Sequence, residues 1–358
     1  MLYSTDDLRI TGIQEVIPPA QLHQELPITD YASETVFNAR TATQNILHGR
    51  DDRLVVIIGP CSIHDPKAAI EYASRLRPLI SELKDDLNII MRVYFEKPRS
   101  VVGWKGLIND PYIDGSFKIN DGLHFARKLL LDLAEMEVPA ATEYLDLISP
   151  QYVSDLISWG AIGARTTESQ AHRELASGLS CPVGFKNATD GGLQIAIDAT
   201  LSASKTHHFM SVTKAGHSAI FSTTGNPDCH VILRGGKTPN YDAANVNEAA
   251  TTIGRTGQNT RLMIDCSHAN SGKSHLQQEV VCRDVAGQIS NGEKRIMGVM
   301  LESNLVAGRQ NVESGKELVF GQSITDACMA WDNSVDLLHE LAAAVRERRQ
   351  HQSNKLSA

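Results

Sequence analysis

Short apolar runs rich in β-branched residues recur along the chain and predict buried strands. The clearest run opens the segment 54–65 (LVVIIGPCSIHD), where Gly59 and Pro60 interrupt the apolar pattern. A continuous run of this kind is typical of a strand buried on both faces, and the Gly-Pro pair ends it. Asp65 and Pro66 then favour a helix N-cap and first turn. The apolar positions that follow have helical spacing: Ala69, Ala73, Leu76, Ile80 and Leu83.

The same order of strand and helix repeats and predicts eight parallel strands. Besides the first, strands are predicted at 88–95, 138–143, 161–165, 182–186, 230–234, 262–265 and 296–302. Further helices are predicted near 31–47, 121–136, 168–176, 193–202, 242–253, 277–290 and 324–346. Alternation of strands and helices is typical of α/β proteins with a parallel sheet, and eight units favour closure into a (β/α)8 TIM barrel.

Three parts of the chain are distinguished by this pattern. Residues 1–50 form an N-terminal extension, which is either a lid over the bottom of the barrel or an arm for another subunit. Residues 51–349 are predicted to form the barrel, and 350–358 a C-terminal tail. Within the barrel, 207–224 is predicted to be an inserted β-hairpin that turns at 214–216, and 95–117 is a long loop.

Composition disfavours several classes of protein. The net charge of −8 makes nucleic acid and anionic membranes poor partners. No apolar run approaches the roughly 18 residues of a membrane span, and the first residues lack the pattern of a secretory signal. The six cysteines form no C-x-x-C pair, which predicts a reduced, cytoplasmic protein.

Each predicted strand ends in a polar or reactive residue, at the end of the barrel where active sites lie. Five of these residues are cations: Arg92, Lys97, Arg165, Lys186 and Arg234. Unpaired buried cations are costly, so they need anions, either rim acids such as Glu143 and Asp265 or the phosphates of substrates. A second basic cluster at 97–100 (KPRS) indicates two phosphates and hence two substrates.

A thiol, an imidazole and two carboxylates also stand at or beyond separate strand ends: Cys61, His268, Glu302 and Asp326. Donors of these types bind a divalent ion such as Mn²⁺, Fe²⁺, Co²⁺ or Zn²⁺. Because the four residues are distant in sequence, their spacing alone does not distinguish a metal site from ordinary caps and ion pairs.

Several long motifs resemble the type I 3-deoxy-D-arabino-heptulosonate 7-phosphate (DAHP) synthases of bacteria and fungi. They are GPCSIHD (59–65), RVYFEKPRSVVGWKGLINDP (92–111), GAIGARTTESQ (160–170), HRELASGLSCPVGFKN (172–187), HVILRGGKTPNY (230–241), IDCSHANS (264–271) and SITDAC (323–328). The likeness implies a metal-dependent (β/α)8 enzyme. It would condense phosphoenolpyruvate with erythrose 4-phosphate and water to give DAHP and phosphate, the first step of the shikimate pathway.

Matching motifs imply roles for individual residues. One divalent metal ion per subunit would be bound by Cys61, His268, Glu302 and Asp326. Phosphoenolpyruvate would contact Arg92, Lys97, Glu143 through a water, Ala164, Arg165, Lys186 and Arg234. Erythrose 4-phosphate would contact Arg99 and Ser100. The implied catalytic residues are Cys61, Lys97, Glu143, Lys186 and His268, with Lys97 as a candidate proton donor.

In such synthases the hairpin and the N-terminal arm form a feedback site for an aromatic amino acid, with the arm coming from another subunit of a homodimer or homotetramer. The matching positions are Pro150, Gln151, Leu175, Leu179, Ser180, Phe209, Ser211 and Phe221, with Asp6 and Asp7 from the neighbour. Ser211 resembles phenylalanine-sensitive members, whereas tyrosine-sensitive ones tend to have Gly there. Phe221 replaces a smaller aliphatic residue and would reshape the ring pocket towards tryptophan. Phenylalanine is therefore the expected effector, with tryptophan or tyrosine as alternatives. The other interpretation is that the hairpin is only a dimer contact.

Other functions remain open on the residues alone. Condensation with arabinose 5-phosphate is disfavoured, because the sibling family resembles KANRSS where this chain has KPRS. A Schiff-base aldolase would use Lys186 on the fifth strand. A non-catalytic phosphosugar sensor is disfavoured by the presence of Cys61 and His268.

Overall fold

A closed barrel of eight parallel strands forms the centre of the structure, as the apolar runs predict. The computed structural model describes residues 3–99, 101–313 and 315–356. The barrel strands are β1 (Leu54–Gly59), β2 (Leu87–Arg92), β3 (Ala140–Glu143), β4 (Ile157–Ile162), β5 (Val183–Lys186), β8 (Cys229–Leu233), β9 (Leu262–Asp265) and β10 (Ile296–Glu302). Each pairs with the next in that order, and β10 pairs with β1 to close the barrel.

Two small sheets lie outside the barrel. The predicted hairpin is present as the antiparallel pair β6 (His208–Val212) and β7 (Ser218–Ser222). A parallel pair, β11 (Val306–Arg309) and β12 (Gln322–Ser323), follows the last barrel strand and was not predicted from sequence.

The helices follow the predicted alternation. They are α1 (Pro19–Glu25), α2 (Asp30–Leu47), α3 (Pro66–Glu82), α4 (Ile119–Glu135), α5 (Pro150–Val153), α6 (Gln170–Gly178), α7 (Gln194–Ala203), α8 (Ala243–Arg255), α9 (Gln277–Ser290) and α10 (Trp331–Leu356). Asp65 caps α3 as predicted, since its side chain accepts a hydrogen bond from the Lys67 backbone N–H. Among the residues that the structure describes, no helix combines the length and the hydropathy of a membrane span.

The predicted second strand, 88–95, ends three residues too late, since β2 ends at Arg92. Two other predicted boundaries differ more from the structure. The fourth strand lies at Ile157–Ile162 and not at 161–165. Ser158 and Gly160 interrupt the apolar run at 157–162, so the start of this strand was not recognised from the sequence. The last helix begins at Trp331 and not at 324, because Cys328 and Met329 form β-bridges in the preceding segment. This helix also continues to Leu356, into the segment predicted to be a tail.

Successive residues of the strands serve two different cores. Val55 and Ile57 of β1 belong to a cluster inside the barrel, whereas Val56 and Ile58 pack outward against the surrounding helices. This alternation follows from the two-residue period of a strand and leaves the strand ends as the place for polar side chains.

The N-terminal extension has two structural parts. Helix α2 closes the bottom of the barrel, since Ile46 and Leu47 join the interior cluster. Before α1, residues 3–16 are exposed, including Leu8 at 70% and Ile13 at 83%.

Candidate functional site

Two glycines allow close contacts between neighbouring strands next to the predicted site residues Cys61 and Glu143. Gly59 brings the end of β1 against β2, because a Cβ at this position would lie 2.9 Å from the Arg92 carbonyl oxygen. Cys61 follows this contact and is fully buried. After β4, a Cβ on Gly163 would lie 2.2 Å from Glu143 Oε1. Glycine at both positions therefore makes room for functional groups of the adjoining strands.

The predicted metal-binding residues come together at the carboxyl ends of the strands. The donor atoms of Cys61, Glu302 and Asp326 lie within 4.8 Å of one another. His268 Nε2 lies 4.0 Å from Glu302 Oε1, so the fourth predicted ligand faces the same cluster. Burial and the Glu302 carboxylate raise the pKa of the Cys61 thiol. This donor set fits a divalent ion, whose charge would offset the repulsion between the acids and favour the thiolate.

Asp265 orients two of the predicted residues, and sequence analysis assigned it no role beyond a rim acid. Its Oδ2 lies 2.8 Å from His268 Nδ1 and 2.9 Å from Lys186 Nζ. Burial alone would raise the pKa of Asp265, but His268 and Lys186 hold it well below its ordinary value. Ser267 Oγ also lies 2.7 Å from His268 Nδ1 and donates a hydrogen bond to Asp265 Oδ1. Asp265 and Ser267 together hold Nδ1 on this side of the ring, so that Nε2 is available to a metal.

A cavity above this cluster, here called the catalytic cavity, brings together most of the predicted substrate-binding residues. It is lined by Lys97, Arg99, Glu143, Ala164, Arg165, Lys186, Arg234, His268 and Asp326, among others. Arg92 lies deeper, where its Nη2 is 3.0 Å from Glu302 Oε1 and its guanidinium covers the Tyr94 ring. Arg92 and Lys186 thus have carboxylate partners, as the alternative interpretation from sequence allowed.

Two other arginines of the catalytic cavity have no carboxylate partner among the described residues. Arg165 Nη1 donates to the Pro98 carbonyl oxygen at 2.8 Å. Arg234 Nη1 lies 3.4 Å from the Gly235 carbonyl oxygen, while its buried Nε makes no hydrogen bond. Burial and the nearby Arg165 lower the pKa of Arg234. Two guanidinium groups in this situation are suited to a phosphate or a carboxylate.

The second basic cluster lies at the edge of the catalytic cavity. Arg99 lines it and donates from Nε to the Trp104 carbonyl oxygen at 2.8 Å, whereas Ser100 lies outside the described residues. Sequence analysis missed Lys273, Thr189 and Thr325, which also line the cavity. They stand in loops without an apolar pattern, and their only signal is that each follows a strand end.

A second cavity, here called the hairpin pocket, lies between the hairpin and the helices α5 and α6. It is lined by all the effector residues predicted for one subunit: Pro150, Gln151, Leu175, Leu179, Ser180, Phe209, Ser211 and Phe221. The rings of Phe209 and Phe221 stack with centroids 6.0 Å apart. Asp6 and Asp7 are exposed on the N-terminal segment and are not part of the lining within this single chain.

Comparisons with known proteins agree with this geometry. The DAHP synthetase I family matches residues 30–339. The chain is 61% identical over 349 residues to "Phospho-2-dehydro-3-deoxyheptonate aldolase, Phe-sensitive" of Escherichia coli (strain K12), which covers 98% of this chain and 100% of the relative. It is 58% identical to "Phospho-2-dehydro-3-deoxyheptonate aldolase" of Haemophilus influenzae, over 99% of this chain and 98% of that protein. The solved structure of the Francisella tularensis SCHU S4 enzyme of that name superimposes with a TM-score of 0.93 at 52% identity, covering 95% of this chain and 99% of that one.

Proposed function

The chain belongs to the DAHP synthetase I family, and from this premise we propose how its residues perform and regulate the reaction. It is a DAHP synthase, a transferase that condenses phosphoenolpyruvate with erythrose 4-phosphate in the shikimate pathway. The observation that carries the residue assignments is the pair Arg165 and Arg234, which have no carboxylate partner in the part of the chain that the structure describes and lie in the same cavity as metal-binding donor types.

The proposed metal site consists of Cys61, His268, Glu302 and Asp326 and holds one ion of Mn, Fe, Co or Zn per subunit. Its support is the convergence of a thiol, two carboxylates and an imidazole. A bound ion would supply Lewis-acid polarisation of the substrate aldehyde. Asp265 would keep the His268 ring in place, and the pairing of Arg92 with Glu302 favours a supporting role for Arg92 beneath the substrates.

The proposed substrate contacts follow the charges of the catalytic cavity. Arg165, Lys186 and Arg234 would bind the phosphate and carboxylate of phosphoenolpyruvate, and Arg99 and Ser100 the phosphate of the sugar. Together with Ala164, these residues would hold C3 of phosphoenolpyruvate against the aldehyde carbon, where near-attack placement lowers the barrier.

The reaction would then proceed by carbon–carbon bond formation. C3 attacks the aldehyde carbon, positive charge develops at C2, and water held near Glu143 or Lys186 adds there. Phosphate leaves with cleavage of its C–O bond. Lys97, whose Nζ lies 3.0 Å from Cys61 Sγ, is the candidate proton donor to the new alkoxide. A Schiff base on Lys186 is disfavoured, because its ammonium is paired with buried Asp265.

The proposed effector of the hairpin pocket is an aromatic amino acid, with phenylalanine preferred and tyrosine or tryptophan as alternatives. Its support is the stacked Phe209 and Phe221 beside Ser211, together with 61% identity to a relative named Phe-sensitive. Residues 3–16 of the N-terminal extension expose apolar side chains such as Leu8 and Ile13, which supports assembly into a homodimer or homotetramer. Asp6 and Asp7 of another subunit would then complete the hairpin pocket. The free thiols of all six cysteines support a cytoplasmic location.

Phosphate release from phosphoenolpyruvate is the test of this proposal. We expect release only when erythrose 4-phosphate is present, with loss in EDTA and recovery on addition of Mn²⁺. Borohydride with substrate is expected to leave Lys186 unmodified. Activity that survives EDTA, or a borohydride adduct on Lys186, would contradict the metal-dependent mechanism. Each aromatic amino acid is then added in turn, and inhibition by none of them would contradict the regulatory role of the hairpin pocket.

A further inference from the structure

Glu96 is a buried acid that the proposed reaction does not use. It is 5% exposed and precedes Lys97 in the chain, yet it lines neither the catalytic cavity nor the hairpin pocket. Its Oε2 accepts a hydrogen bond from Ser149 Oγ at 3.1 Å and lies 3.5 Å from the Asp146 backbone nitrogen. Burial and the nearby Asp146 carboxylate raise the pKa of Glu96 to about 7.

Ion pairing does not explain why an acid is buried at this position. No cation within the described ranges forms a salt bridge with Glu96, and the two charged groups that most affect its pKa, Asp146 and Glu143, are also acids. Burying a carboxyl group without a counter-charge is costly, so its hydrogen bonds are the interactions that hold it there. Its hydrogen-bond donor Ser149 lies in a different loop, the one between β3 and α5.

On one side, Glu96 is joined to the catalytic cavity through its neighbour. The Lys97 backbone N–H donates to the Lys105 carbonyl oxygen at 2.8 Å, and Lys97 Nζ reaches Cys61 Sγ. The next residue, Pro98, accepts a hydrogen bond from Arg165. A displacement of the Glu96 backbone would therefore move Lys97 and Pro98 against the groups proposed to bind metal and phosphate.

On the other side, Ser149 is joined to the hairpin pocket. The next two residues, Pro150 and Gln151, line the pocket, and the Gln151 carbonyl oxygen accepts a hydrogen bond from Lys214 of the hairpin. Asp146 Oδ1 accepts from the backbone N–H of Ser149 at 2.8 Å, which holds the turn before α5. Covalent neighbours and hydrogen bonds thus form a continuous connection from the hairpin to Lys97.

We propose that the hydrogen bond between Glu96 and Ser149 is the connection through which the hairpin pocket changes the position of Lys97. Glu96 is then a positioning residue: it touches no substrate, and it transfers movement of the pocket wall to the proton donor. The inference rests on the proposed regulatory role of the hairpin pocket. Breaking the bond to Ser149 leaves both cavities intact and reduces the coupling free energy between them, since only the longer contact of Glu96 with the Asp146 backbone nitrogen, at 3.5 Å, remains.

The test compares Ser149→Ala with the wild-type enzyme, using L-phenylalanine as the probe. We expect unchanged activity without phenylalanine and a calorimetric Kd for phenylalanine within about threefold of wild type. Residual activity at saturating phenylalanine is expected to rise at least about fivefold, the lower end of typical allosteric coupling. Ser149→Thr restores a hydroxyl and is expected to restore inhibition.

Two further variants separate coupling from a general loss of a buried hydrogen bond. Thr200→Val removes a buried hydroxyl that bonds Gln258 Oε1 at 2.7 Å in α7, outside both cavities, and is expected to be inhibited like wild type. Glu96→Ala removes the bond to Ser149 and also the contact with the Asp146 backbone N–H, so its loss of inhibition is expected to be at least as large as that of Ser149→Ala. The double variant is expected to match Glu96→Ala, because both lack the same bonds. Glu96→Gln keeps an acceptor oxygen for Ser149 and is expected to remain inhibited by phenylalanine. If the alanine variants fail to fold, this variant still tests the role of the acceptor oxygen.

The outcomes distinguish this inference from the function on which it rests. Strong inhibition of Ser149→Ala and Glu96→Ala, or additive losses in the double variant, would overturn the coupling role. Loss of inhibition in Glu96→Gln would equally contradict a role based on the acceptor oxygen. A wild-type enzyme that neither binds phenylalanine nor is inhibited by it would overturn the phenylalanine regulation first, and the coupling with it.

Discussion

The catalytic cavity and the hairpin pocket are built in different ways. Several residues of the catalytic cavity and the metal cluster below it stand at or just after the ends of strands that are hydrogen-bonded on both sides. Lys186 and Glu302 are examples, and they are only 3% and 2% exposed. The hairpin pocket is lined by short α5, by α6 and the residues after it, and by a two-stranded hairpin that is half exposed along its length. The closed barrel holds the first site, whereas a local element holds the second.

This difference suits the two proposed tasks. Chemistry at the catalytic cavity needs donors and charges that are already in place, because rearranging them during the reaction would raise the barrier. Regulation needs a part that can move at low cost in free energy, and a hairpin with few buried apolar contacts meets that condition. The two sites are therefore expected to fail independently when residues are changed.

The largest expected effect is that of Cys61→Ala, which should disable the catalytic cavity and leave the hairpin pocket intact. The variant lacks a proposed metal ligand, so activity should fall by more than about 100-fold. Mutation of residues that only hydrogen-bond to a metal ligand already lowers activity or metal affinity by about 10–100-fold. Phosphate release and metal content measure this. The control Cys282→Ala removes a buried thiol of α9, away from the cavity, and should keep its activity. Wild-type turnover of Cys61→Ala in Mn²⁺ would mean that the ligand assignment is wrong.

Arg234→Ala should have the next largest effect, on substrate binding. Loss of a charge-assisted contact to phosphate costs about 2 kcal/mol, which corresponds to roughly a thirtyfold rise in KM for phosphoenolpyruvate. Steady-state kinetics at varied phosphoenolpyruvate measures this, and Arg234→Lys, which keeps the charge but not the fork, should lie between the two. An unchanged KM would place Arg234 in a structural role.

Ser180→Phe should have the smallest effect on catalysis and a complete effect on regulation. A phenylalanine side chain at this position would fill the hairpin pocket, so the enzyme should stay active and become insensitive to the amino acid. The matched control Ser180→Ala leaves the pocket open and should remain sensitive. Activity is measured at saturating substrate against rising phenylalanine. If Ser180→Phe were inhibited normally, the effector would bind elsewhere.

The two regions also differ in how far their residues could be predicted from sequence alone. Strand ends of a barrel meet in space, so Cys61, Arg165, Lys186 and Arg234 could be grouped from the apolar runs that precede them. The partner of each cation could not be predicted in this way, because the pairing of Lys186 with Asp265 depends on side-chain directions across two strands.

The hairpin pocket could not be assembled from the residue pattern. Its lining comes from three separate segments without a common period, and only the resemblance to a family grouped Pro150 with Phe209. The same reason explains the missed pair β11 and β12, whose short strands of four and two residues are separated by a loop. Contacts between distant short segments carry little signal in a single sequence.

The central claim is that one chain holds two separate sites, one for phosphoenolpyruvate and one for an aromatic amino acid. Calorimetric titration of both ligands into wild type, Arg234→Ala and Ser180→Phe tests it most directly. We predict that wild type binds L-phenylalanine even when saturated with phosphoenolpyruvate, that Ser180→Phe loses only phenylalanine, and that Arg234→Ala loses only phosphoenolpyruvate. If the two ligands competed for one site, so that each molecule of one displaced a molecule of the other, the account would be contradicted. Loss of phenylalanine binding in Arg234→Ala would contradict it as well.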